Sequence, residues 1–157
     1  MSREAPGGGK VPPSLHYLRL TTRDSPPMPS IHVPISPGEL IDKLTILEIK
    51  SERMTDPAKV ANVRLELDLL QSTWRGSEHA AEDIAAEWAQ LKHINEKLWQ
   101  IEDEIRDKER AGSFDARFIE LARAVYFTND ERAAVKRAIN VKLGSKILEE
   151  KSYKEYR

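Results

Sequence analysis

From Ser36 onward, apolar residues recur at alternating spacings of three and four, the period of helices that each bury one stripe. Val60, Val63, Leu67, Leu70 and Trp74 give the plainest stripe, with Leu65 and Leu69 on the opposite side of the same helix. Upstream, Leu40, Ile41, Leu44, Leu47 and Met54 share a face that Ile46 and Ile49 leave. A helix with two apolar faces belongs at the centre of a bundle or at a subunit interface, and the pattern leaves both open. A third, longer stripe runs Ile84, Trp88, Leu91, Asn95, Leu98, Glu102, Ile105, Glu109, so every second position from Asn95 is polar. Phe118, Leu121, Ala122, Val125 and Tyr126 form a fourth stripe, and Val135, Ile139 and Leu143 a fifth.

Punctuation along the chain sets the boundaries. Ser36-Pro37-Gly38-Glu39 predicts a helix start with Ser36 as cap, Pro37 in the first turn and Glu39 closing a capping box. Asp56-Pro57 opens a second helix that ends at Gly76, and a third runs from about His79–Glu82 to Gly112. Ser113 or Asp115 opens a fourth. Thr128-Asn129-Asp130-Glu131 reads as another capping box, opening a fifth helix that Gly144 closes, and the tail from Lys146 adds a further turn. The expected fold is therefore an all-α antiparallel bundle of about five helices, a single domain over residues 31–157 with its core at about 36–151.

Eight of the nine prolines and the triplet Gly7-Gly8-Gly9 precede residue 38, so residues 1–30 read as a disordered arm that cannot bury enough apolar surface to offset chain entropy. Met28 offers an alternative native start. A net charge of −1 argues against a nucleic-acid binder acting through bulk charge. The chain has no cysteine, which removes disulfides, thiol nucleophiles and thiolate metal sites. No apolar run is long enough to span a membrane and no secretory leader is recognisable, so a cytoplasmic protein is expected.

The chemistry lies in polar groups set into the apolar stripes. Glu48 falls between Ile41 and Leu44 at 100° per residue, while Asn95 and Glu102 occupy the third stripe with Arg106 at its edge. Asn129 extends the fourth stripe, and Arg132, Lys136 and Asn140 accompany the fifth. Unpaired, each would cost several kcal/mol to bury, so they are expected to meet one another. Two readings stand: a network that fixes helix register, or a polar pocket for an anionic or sugar-like ligand. The four histidines lack metal-ligand spacing, and no phosphate loop, dinucleotide fingerprint or catalytic triad is present, so no metal or cofactor is expected. Glu39-x-x-Asp42 with Glu102-Asp103 is of the kind that holds magnesium in all-α nucleotide pyrophosphatases, but the fuller acidic run of those proteins is missing.

Three blocks carry a wider resemblance: SPGELIDKLTILEIKSERMTDPAKVANVRLEL (36–67), INEKLWQIEDEIRDKERAGSFDARFIELARAVYFTNDERAAVKRAIN (94–140) and LGSKILEEKSY (143–153). In these the chain resembles an uncharacterised bacterial family of small helical proteins, a domain of unknown function. The resemblance implies a bacterial, stand-alone helical domain, with a link to surface-polysaccharide pathways through glycosyltransferase-type neighbours. It assigns no catalytic residue. The leading expectation is a non-enzymatic accessory or protein-interaction module, homo-oligomeric or bound to a helical partner. The alternative is a small enzyme or ligand-binding protein, magnesium-dependent or not, built on the interhelical polar groups.

Overall fold

Ser36 begins the ordered helices as its sequence predicts, and a computed structural model describes residues 31–152. The expected N-terminal arm lies outside these residues. By backbone contacts the chain divides into Met1–Val33 and Pro34–Arg157, and every described helix belongs to the second unit. The helices are α1 (Pro37–Arg53), α2 (Pro57–Arg75), α3 (Ala85–Arg110) and α4 (Ala116–Lys142), packed as an all-α bundle.

Local chemistry sets most of the ends. Asp56 caps α2 by accepting from the amides of Ala58 and Lys59, and Asp115 caps α4 through the Phe118 amide at 3.0 Å. Gly112 and Gly144 follow the last turns of α3 and α4 with φ of +61° and +65°, a left-handed conformation that glycine adopts without a Cβ penalty.

Three boundaries differ from expectation. The predicted fourth and fifth helices are one: α4 runs through Thr128-Asn129-Asp130-Glu131 without a break. Those residues weaken a helix only modestly, and no glycine or proline interrupts residues 116–142. Long packing against α3 outweighs that bias, and Thr128 is buried in the stripe that continues from Leu121 to Val135 and Ile139. Next, α3 starts at Ala85, because residues 76–82 form turns and bends, with Ala80 bonded to Ser77 and Glu82 to His79. Finally, residues 145–152 form no helix.

α1 approaches α2, α3 and α4, whereas α2 approaches the backbone of α1 alone among the described helices. Central position thus explains the two apolar faces of α1: Ile49 is fully buried, as are Ile41 and Leu44. The main core joins Ile41 to Ile84, Leu91, Ile94 and Leu98 of the α3 region and to Val135, Ile139 and Leu143 of the α4 region. Full burial of each large aliphatic side chain contributes about 1.5–3 kcal/mol. Trp74 and Trp88 close one side of this core edge to face, their ring centroids 6.0 Å apart. α2 has no fully buried residue, and its predicted stripe is only half-buried.

Candidate functional site

The polar groups gather in two places where α1 crosses the α3–α4 pair. The first is a buried network. Asn95 donates to Asp42 Oδ1 at 2.9 Å and to Thr45 Oγ1 at 3.0 Å, and the Thr45 hydroxyl donates to the Asp42 carbonyl. Lys136 reaches the same region from α4, its Nζ lying 2.5 Å from Glu39, 2.8 Å from Glu149 and 3.8 Å from Asp42. Its side chain is only 9% exposed. Burial alone would lower its pKa, but bonds to Glu149 and Glu39 and the charge of Asp42 outweigh it and hold the ammonium above its ordinary value. Conversely, the Lys136 bond depresses the Glu149 carboxyl despite partial burial, with smaller help from Lys151 and Arg132.

The N-terminus of α1 is satisfied by this network. A helix start leaves free amides, and Pro37 removes one of them. Ser36 Oγ accepts from the Glu39 amide at 3.3 Å, and Asn140 Oδ1 accepts from the Gly38 amide at 2.7 Å. Asn140 therefore acts as a cap supplied by another helix. The predicted capping box is half realised, since the Glu39 carboxylate bonds Lys136.

The second place is a groove of about 510 Å³ formed by α1, α3 and α4. Lys50 and Ile46 of α1 form one wall and Arg132 of α4 another, with Trp99, Glu102, Asp103 and Arg106 along α3. Asn95 belongs to the buried network and also lines the groove. One heptad on, Glu102 lies on the same face of α3, but its side chain is 45% exposed to the groove. It pairs with Arg106 at 3.0 Å, an i, i+4 contact. The buried residue of α3 at that point is Ile101, so the strict repeat predicted through Glu102 and Glu109 does not describe the core.

Of the eight expected residues, the structure thus brings Asn95, Lys136 and Asn140 into the network and Asn95, Glu102, Arg106 and Arg132 into the groove. Glu48 joins neither: it accepts from Trp88 Nε1 at 3.5 Å beside the Lys92–Glu52 ion pair. Burial raises its carboxyl pKa, against the opposing effects of Trp88 and Lys92. Asn129 is half-buried on α4, its carbonyl 3.4 Å from Lys151 Nζ. Sequence reasoning missed Gly38, Asp42, Thr45 and Glu149 in the network, and Lys50 and Trp99 in the groove. Asp42 and Thr45, both in an apolar stretch of α1, carried the legible signal; Glu149, on an irregular tail, carried none.

The acidic pairs do not converge. Asp42 is committed to Asn95 and Lys136, while Glu102 and Asp103 face the groove. Among the described residues, no group of three or more His, Asp or Glu is placed to hold a metal ion. No described helix is long and apolar enough to cross a membrane. No curated protein and no solved structure matches the chain. A family model does match residues 31–156, which include every described helix, the buried network and the groove, and the chain belongs to that family, the family of unknown function DUF6165.

Proposed function

We propose that the protein is a non-enzymatic interaction module that self-associates through the outer face of α2. One observation carries this reading. Leu65 and Leu69 are 51% and 49% exposed, on a helix whose backbone approaches α1 alone among the described helices. Around them, Ala58, Asn62, Ser72 and Thr73 complete a face without a charged residue, in a chain that is 32% charged. Glu66, beside this face, is turned to Lys43 at 2.7 Å. An uncharged stripe meets its own copy without like-charge repulsion, which suits a two-fold dimer. The reading places the module in the cytoplasm, with helical protein surfaces as its partners.

Sedimentation at micromolar concentration tests it. The expected species is a dimer that Leu65→Glu combined with Leu69→Glu converts to a monomer of unchanged helicity. A strict monomer refutes the proposal, as does a dimer that survives both substitutions.

A further inference from the structure

The groove beside the buried network has its own chemistry. Its cations are Lys50, Arg106 and Arg132, and its acids are Glu102 and Asp103. Arg106 is neutralised by Glu102, but neither Lys50 nor Arg132 forms an ion pair with any described residue. Both are only partly exposed, one on α1 and one on α4, so two independent helices bring positive charge without a direct ion-pair partner to one concavity, Arg132 interacting with Glu149 only at longer range. Asp103 is likewise without an ion-pair partner among the described residues. Trp99 and Leu98 supply apolar surface between these groups. The volume of about 510 Å³ suits a small molecule.

We infer that this groove binds a small hydroxylated organic anion, of which a sugar phosphate is the simplest example. An anionic group satisfies Lys50 and Arg132, which a neutral ligand leaves unpaired. Carboxylates accept hydrogen bonds from hydroxyl groups, a role open to Asp103 and to the second oxygen of Glu102. The indole of Trp99 offers a flat apolar surface to the C–H face of a sugar ring. A bare inorganic anion uses the cations alone and meets repulsion from the two acids. The charges of the groove therefore select a ligand with both an anionic and a hydroxylated part. Because none of these groups lies on α2, the inference is independent of self-association.

The test is a titration of 15N-labelled protein with glucose 6-phosphate, glucose and inorganic phosphate, read at the indole Nε1–H of Trp99. Trp99→Phe assigns that resonance among the three tryptophans. Glucose 6-phosphate should shift it saturably with a Kd of about 1 mM or tighter, and each of the other two probes should bind at least about tenfold more weakly. Lys50→Gln and Arg132→Gln should each weaken glucose 6-phosphate about tenfold, the usual effect of losing one charged hydrogen bond. Arg117→Gln, remote from the groove, should leave binding unchanged, and circular dichroism verifies that every variant is folded. Absence of a saturable shift at about ten times that concentration overturns the proposal. So does equal binding of inorganic phosphate, or affinity that survives loss of Lys50 and Arg132.

Discussion

Replacing Gly38 by alanine should be far more damaging than a glycine-to-alanine change normally is in a helix. Alanine has the higher helix propensity and restricts the unfolded chain, effects that together favour it by up to about 1 kcal/mol. At Gly38, however, an added Cβ would lie 2.5 Å from the Lys136 carbonyl oxygen and 2.9 Å from Asn140 Oδ1. The first of these atoms is helix backbone and cannot rotate away, so α1 must move off α4. Overpacking of this kind costs about 1–3 kcal/mol. The same displacement stretches the buried 2.7 Å bond from the Gly38 amide to Asn140, and a stranded buried donor costs a further 1–3 kcal/mol or so. With both terms near the middle of their ranges and the propensity gain subtracted, the loss is about 3 kcal/mol, or a fall in Tm of about 10 °C. Gly76→Ala is the internal control. There φ is −86° and the nearest contact would be an ordinary 3.4 Å, so its melting temperature should stay level or rise. Thermal melts followed by circular dichroism compare the two variants with the wild type. If Gly38→Ala melts with or above the wild type, the close approach of α1 and α4 is wrong, and with it the interhelical cap.

Two further outcomes concern the buried lysine. Lys136→Met should lower stability by about 3 kcal/mol in a denaturant titration, because it strands the buried Asp42; the cost stays at the low end of the usual range since Glu39 and Glu149 can turn to water. The Lys136 bond holds the folded pKa of the Glu149 carboxyl below the ordinary glutamate value, so its contribution is complete above the ordinary value and disappears as pH falls through the folded one. Tail amides around Ile147 and Leu148 should therefore exchange faster with solvent at acid pH, once the shared pH dependence of exchange is removed. Glu149→Gln should already show the faster exchange at pH 7, and equal protection in that variant would show that Lys136 does not anchor the tail.

The sequence by itself determined the helical class, most of the helix ends and the composition of the stripes, because capping and periodicity are local. Ser36, Asp56 and Asp115 bond to amides two or three residues away, and no distant partner is needed to predict them. Asn95, Lys136 and Asn140 were legible as buried polar groups for the same reason: a polar residue in an apolar stripe must be satisfied somewhere. Where it is satisfied was decided by the tertiary structure. Glu102 repeats the spacing of Asn95, yet Asn95 is 5% exposed and bonded to Asp42 and Thr45 of α1, while the Glu102 side chain is 45% exposed and paired within its own helix. The run at Thr128 offered a local helix start that packing along α3 overrode. Glu39, placed to close its own capping box, was drawn instead to a lysine 97 residues away. Local bonds are written in adjacent residues, whereas burial and charge pairing depend on which helix comes to lie alongside.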